Sequence, residues 1–344
     1  MPSSSPRASS PKSEPDGSPA DELALGVDLG GTKVVSGLVD RQGTVVRTSG
    51  RVVHSNAGPS AVVAAVIRSA KAALELAPLP PRAIGVAVAG QIDPRTGTVI
   101  HAPNLGWRDL PLARRLEDEL GIPVRVVNDA RAATYAEWQF GAGAGVDDLF
   151  CLALGTGIGG SAVLGGRLIE GGSHAAGEVG HLTIVSGGRK CHCPNWGCLE
   201  AYVGGWAIGE RAVEAIREAH RDPDPLVERA GGIDRVTARV VFDAYRGSDP
   251  VARRVVRETE RYLTDGVVGI VNAFNPTVLV VAGGLVAGLP ELVPAIETAV
   301  RARCQPPAAS ARVVRARFTE EAPMIGAAAL ARAALGPRPG PRRT

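Results

Sequence analysis

The sequence predicts an α/β protein of two lobes, and three observations carry that reading. The first is length: 344 residues are enough for two domains of ordinary size, each with its own core. The second is an alternation of short apolar runs with stretches of helical periodicity. The third is a duplication. A glycine-rich turn between apolar runs occurs at 23–40, LALGVDLGGTKVVSGLVD, and again at 151–168, CLALGTGIGGSAVLGGRL. Superposing the two aligns Gly30-Gly31-Thr32 with Gly159-Gly160-Ser161 and places the glycines at a tight strand-to-strand turn in each half. Glycine lets backbone N–H groups approach an anion with no side chain between them, and a neighbouring hydroxyl helps to complete an anion-binding nest. Two such turns predict two lobes gripping one polyphosphate. Neither turn is a Walker A loop or the strand-to-helix fingerprint of dinucleotide binding. Asp28 and Lys33 flank the first turn and supply a metal-attracting carboxylate and a cation, the charges that phosphoryl transfer uses.

The elements follow in order. Apolar runs predict strands near 23–29, 34–40 and 45–53, followed by an Ala-rich amphipathic helix over 60–77. IGVAVAG, 84–90, is a buried strand. A turn at 91–97, a strand around Val99, a helix over 110–120 and a strand over 124–127 lead to Asn128-Asp129, which opens a helix; an Asp in that place is also a good N-cap. The second glycine turn begins a comparable unit, interrupted by an insertion near 170–235. Helices over 207–220, 238–245 and 250–274 precede the strand VLVVAGG, 278–284, and helices over 291–303 and 325–335 close the fold. A βββαβαβα unit used twice resembles the two-lobed actin-like ATPase (ribonuclease H-like) fold, which implies a central cleft. The expected lobes are 23–128, completed by the terminal helix 321–335, and 129–320, carrying an insertion at 178–200. Residues 1–22, rich in Ser and Pro, and 336–344 read as flexible tails.

Composition narrows the partners. A net charge of +3 with 21% charged residues gives no basic field for nucleic acid. No apolar run reaches the roughly 18 residues of a membrane helix, and the N-terminal stretch is not a signal peptide; a cytoplasmic protein is expected. Five cysteines are an odd number, and three of them, Cys191, Cys193 and Cys198, fall in a C-x-C-x4-C pattern that suits a metal better than a disulfide framework. His181, ten residues upstream, completes a closed Cys3His zinc shell with no open position for water. His192 could compete as the fourth ligand, but a side chain between two ligating cysteines points outward, so His181 is preferred. Cys151 and Cys304 read as small buried side chains.

Together, DLGGTK, LGTGIGG, EVGH and C-x-C-x4-C-x-E resemble the ROK family of sugar kinases and sugar-responsive repressors, over nearly all of 23–335. APNLGW, 102–107, and VVNDARAATYAEWQFGAG, 126–143, resemble the family's glucose-phosphorylating members. The resemblance implies ATP with Mg2+, a structural zinc, a homodimer, and phosphorylation of the 6-hydroxyl of glucose. It assigns Asp129 as the general base that orients the weakly nucleophilic sugar hydroxyl. Asn128, Glu178, Glu200 and the second ring nitrogen of His181 would bind the sugar, with Gly90 and Asn104 as further candidates. Phosphate would meet Asp28, Gly30, Gly31, Thr32, Lys33, Thr156, Gly157, Gly159 and Gly160, and Gly283-Gly284 would meet the adenosine.

One departure concerns Pro194, which stands where the family commonly has Gly. Proline fixes φ near −65° and excludes a left-handed conformation, so the ligands are expected to survive while the path from Cys193 to Cys198, and with it the exact placing of Glu200, is left open. The alternatives are an N-acetylhexosamine or amino-sugar kinase of the same family, and a repressor. Family repressors carry an N-terminal helix-turn-helix, whereas the stretch before the first strand here lacks apolar periodicity.

Overall fold

The computed structural model describes residues 23–52, 58–220 and 224–335; the predicted tails at 1–22 and 336–344 lie outside them. Two five-stranded mixed sheets of the same topology organise the chain. In the first, β1 (Ala24–Leu29), β2 (Lys33–Val39) and β3 (Val45–Val52) form an antiparallel meander, and β4 (Ile84–Val88) and β8 (Val124–Asn128) extend it parallel to β1. In the second, β9 (Leu149–Leu154), β10 (Ile158–Leu164) and β11 (Arg167–Leu168) form the meander, extended by β12 (Val278–Ala282) and β13 (Arg312–Arg315). The central strands β1, β4 and β9 are near-continuous apolar runs because both faces are covered. The repeated unit therefore has the two-lobed fold of the actin-like ATPases.

The duplication is real, but its register differs from the sequence superposition. Each meander has six residues, a three-residue turn, then seven residues: 24–29, 30–32, 33–39 in one and 149–154, 155–157, 158–164 in the other. Gly30-Gly31-Thr32 thus corresponds to Gly155-Thr156-Gly157. Gly159 and Gly160 lie inside the β10 ladder, opposite Ala153 and Leu152. Gly160 is required by packing, because a Cβ there would stand 2.8 Å from both the Phe150 ring and Val179. Counting glycines misled here because the second run of glycines continues past its turn into the strand.

Two further differences lie in the first lobe. The expected turn at 91–97 begins as strand β5 (Gln91–Asp93), which joins β6 (Thr98–Ala102) and β7 (Trp107–Leu110) in a small antiparallel sheet. Trp107 is 1% exposed beneath it. The following helix, α2 (Leu112–Leu120), consequently starts after 110. β13 was not anticipated: four residues flanked by arginines carry too weak an alternation to register.

Helix α1 (Pro59–Leu74) covers one face of the first sheet. Its other face is covered by α11 (Ala322–Ala334), which returns from the end of the chain and packs against β1, β4 and α3 (Asp129–Phe140). Glycines permit this approach: a Cβ on Gly26 would lie 2.2 Å from Met324 O, and one on Gly85 1.9 Å from Ala327 O. The helices of the second lobe are α4 (Glu200–Val203), α5 (Gly205–Ala219), α6 (Pro225–Ala230), α7 (Ala238–Arg246), α8 (Pro250–Phe274), α9 (Gly284–Gly288) and α10 (Leu292–Arg303). Among the described residues no helix is long and apolar enough to cross a membrane.

Candidate active site

Parallel register builds one wall of the site. β1, β4 and β8 end level, with Leu29 opposite Val88 and Val88 opposite Asn128, so Asp28, Gly90 and Asn128-Asp129 gather at one sheet edge, where α/β sheets bind ligands. Asn128 is the N-cap of α3: its Oδ1 accepts from the Arg131 N–H at 3.1 Å, and its Nδ2 donates to Gly90 O at 3.2 Å. The cap belongs to Asn128, which leaves the Asp129 carboxylate free for chemistry. Asp129 Oδ1 accepts from the Ala130 N–H at 2.9 Å. Burial raises its pKa above the usual carboxylate range, against the lowering by backbone N–H groups and with a contribution from Glu178.

A cavity of about 350 Å3 joins the predicted sugar-site residues. Gly90, Asn104, Asn128, Asp129, Glu178, His181 and Glu200 all line it, with Gly157, Gly159 and Gly160 on the opposite wall. A second, larger cavity of about 1010 Å3 lies beyond the turn 155–157 and is lined by Gly155, Thr156, Trp206 and Gly284. Gly283 does not line it and packs instead on β9: φ is 102°, and a Cβ would lie 2.2 Å from Leu154 O. Gly30, Gly31, Thr32 and Lys33 line neither cavity. Lys33 is instead paired with Glu320, Nζ to Oε2 at 2.5 Å, on an exposed surface.

Asp28 is the second carboxylate at this edge. Burial, then the negative charge of Asp129, push its pKa up to about 7, partly opposed by Lys33. Two half-buried carboxylates close enough to repel each other would suit a divalent cation, whose charge would relieve the desolvation and the repulsion together.

The insertion gathers the predicted metal ligands. One donor atom each from His181, Cys191, Cys193 and Cys198 lies within 4.8 Å of all the others. The Sγ atoms of Cys193 and Cys198 are 3.7 Å apart, as are Cys191 Sγ and His181 Nδ1. Those edges match a tetrahedron with zinc–sulfur bonds of about 2.3 Å. His181 offers Nδ1 to this cluster while the residue also lines the sugar cavity. His192 is exposed and turned away, its ring stacked on Trp206. Pro194 sits at the exposed tip, and the loop returns through Cys191 N–H to Asn195 O at 3.2 Å and Gly197 N–H to Arg189 O at 2.7 Å. The proline therefore leaves the four donors converging. The insertion is better anchored than its composition suggests, because Val179, Cys191, Cys198 and Leu199 join the main core of the second lobe. Cys151 lies within β9, where burial pushes its thiol to about 12, consistent with an inert packing role.

Sequence reasoning passed over two residues. Arg131 is 6% exposed, lines the smaller cavity, and hydrogen-bonds through Nη2 to His174 O, while its Nε has no partner. Trp206 lies between the two cavities' walls and donates its indole N–H to Glu200 Oε1 at 3.3 Å. Nothing in the local pattern marks either one, since both owe their place to loops that meet only in three dimensions.

The description of the ROK family matches residues 24–334. The chain belongs to the ROK family. A glucokinase of Streptomyces coelicolor is 34% identical over 267 residues, covering 76% of this chain and 82% of that protein. The crystal structure of a ROK family glucokinase from Streptomyces griseus, in complex with glucose and AMPPNP, is 33% identical with a TM-score of 0.77, over 90% of this chain and 99% of that one. The family also reaches regulators: a DNA-binding transcriptional dual regulator of Escherichia coli is 29% identical over 63% of this chain and 52% of its own. The kinase relatives and the fold support phosphorylation of a sugar.

Proposed function

We propose that this ROK family member transfers the γ-phosphoryl group of ATP to the 6-hydroxyl of glucose, as a cytoplasmic enzyme that assembles as a homodimer. The observation that carries this reading is the freedom of Asp129. It stands at the start of α3 in a cavity lined by Asn104, Asn128, Glu178, His181 and Glu200, and the capping duty is discharged by its neighbour. A carboxylate so held takes the proton of the attacking hydroxyl and orients it towards the phosphoryl group. Asn128, Asn104, Glu178 and Glu200 supply donors and acceptors for the remaining hydroxyls.

ATP occupies the larger cavity, with its adenosine near Gly284 and its phosphates against the N–H groups of 156–157 and, across the cleft, 31–32. Asp28 would hold Mg2+, which when bound neutralises the phosphate oxygens. His181, Cys191, Cys193 and Cys198 would hold a structural zinc, which fixes the backbone beside Glu178 and Glu200. Closure of the lobes excludes water, which would otherwise compete as acceptor.

Asp129→Asn keeps the shape and removes the base. It is expected to lower kcat by about 10²–10⁴-fold while glucose and AMPPNP still bind by calorimetry; retention of more than about a tenth of wild-type kcat refutes the assignment. An ADP-release assay across glucose, mannose, glucosamine, N-acetylglucosamine and N-acetylmannosamine separates the glucose reading from its amino-sugar alternatives. Release of ADP with none of them favours a regulator.

A further inference from the structure

The turn 155–157 separates the two cavities, and it is tied down from both sides by a pair of side chains that touch one another. Glu200, on the wall of the smaller cavity, accepts from the Ile158 N–H through Oε2 at 2.8 Å and from the Trp206 indole N–H through Oε1 at 3.3 Å. Trp206, on the wall of the larger cavity, also donates its backbone N–H to Thr156 O at 3.3 Å, and Gly205 donates to Gly155 O at 2.9 Å. The indole is clamped on its face by the His192 ring, with centroids 3.9 Å apart and planes inclined by 19°. Trp206 thus links three places: its ring meets the metal-site loop at His192, its indole N–H meets Glu200, and its backbone N–H holds the turn against the larger cavity.

We propose that Trp206 is a positioning residue that couples nucleotide binding to sugar binding through Glu200. The inference rests on the reading of the two cavities as nucleotide and glucose sites. A carboxylate has about four lone-pair directions, and two of those on Glu200 are fixed by Ile158 and Trp206, which orients the others into the sugar cavity. A nucleotide seated against Thr156 and the indole restricts Trp206, and Trp206 restricts Glu200. The sugar then meets a carboxylate whose ordering cost has already been met. By linkage the effect is reciprocal: glucose tightens the nucleotide by the same factor.

The test is the dissociation constant of glucose, measured by calorimetry with and without saturating AMPPNP. Wild-type protein is expected to bind glucose at least about 5-fold more tightly with the nucleotide, the lower end of ordinary coupling. Trp206→Phe keeps a ring against His192 and removes only the donor. It is expected to bring that ratio to within about two-fold of one, with glucose binding alone weakened by no more than about ten-fold, the usual worth of one such bond. A Phe variant with the wild-type ratio, or a wild type with no ratio, overturns the coupling while leaving the kinase reading intact. A wild type that binds neither ligand overturns the reading of the cavities and the coupling with it. A measurement on unaltered protein guards against a variant that fails to fold. Saturating glucose without nucleotide is expected to slow hydrogen exchange at the Ile158 amide, because the sugar immobilises its acceptor; unchanged exchange counts against the proposal.

Discussion

The two glycine turns are the same local structure in different surroundings. The first, 30–32, closes on itself through Gly30 N–H to Lys33 O at 3.0 Å and is otherwise open: a Cβ on Gly31 would meet nothing within 4 Å. The second, 155–157, closes one residue sooner, from Gly155 N–H to Gly157 O at 3.0 Å, and it is also braced by Gly205, Trp206 and Glu200. A Cβ on Gly157 would lie 2.6 Å from Glu200 Oε2. Duplication supplied two turns at equivalent places, and packing against Gly205, Trp206 and Glu200 braces the second, whereas the first has open space around Gly31.

Removing a metal ligand is the strongest way to break this contrast. Cys193→Ser is expected to abolish the stoichiometric zinc, about one per chain, that mass spectrometry would find in the wild type. Structural zinc binding is worth on the order of 10 kcal/mol, so melting temperature should fall markedly. In protein that stays folded, glucose affinity is expected to fall more than AMPPNP affinity, because Glu178 and Glu200 lie on the metal-site segment and most of the nucleotide cavity does not. A zinc-free wild type with full glucose affinity would remove the metal from the argument.

Asp28, at the foot of the first turn, gives the next largest effect. Its pKa is near 3.8 in the unfolded chain and about 7 in the fold. Between those values the folded state holds a proton that the unfolded state has released, so this group makes stability fall as pH rises, with no further loss above about pH 7. The shift of roughly three units corresponds to on the order of 4 kcal/mol. Asp28→Asn, measured without metal or ligand, is therefore expected to be more stable than the wild type at pH 8, with the advantage fading towards pH 4. The same variant is expected to lose Mg2+-dependent activity. Equal stability of the two proteins in denaturant at pH 8 would contradict the buried-carboxylate account.

The smallest effects separate the turns directly. Gly157→Ala is expected to raise the KM for glucose by about ten-fold by displacing Glu200 from its charge-assisted bond. Gly31→Ala, with open space around it, is expected to leave glucose KM unchanged and to act only on ATP KM. Glucose kinetics that respond equally to both substitutions would mean that the turns are not distinguished by their surroundings.

Much of this was legible in the chain because it is local. Strand periodicity, the two turns and the C-x-C-x4-C cluster each lie within short windows, and the residues assigned to the sugar by resemblance do line one cavity. Errors arose where a local pattern had two solutions. Glycines at 159–160 look like turn residues, yet both are strand residues, and Gly160 leaves room for Phe150 and Val179. The bland alternative for Asp129, a helix cap, falls to Asn128, which is the residue that caps.

By itself, the sequence determined the repeated α/β organisation, the Cys3His donor set and the order in which the cavity residues arrive, since period, spacing and side-chain chemistry are properties of neighbouring residues. Tertiary structure alone decided which glycines lie in a turn and which in a strand packed on the core, because that depends on side chains such as Phe150 and Val179 brought against Gly160 from elsewhere. The return of α11 to the first lobe was expected from the resemblance, but the tertiary structure decided how closely it packs, through the backbone approach that Gly26 and Gly85 allow. Finally, it placed Trp206 between His192 and Glu200. Contacts among residues separated along the chain are set by how whole elements pack, and no local period encodes them.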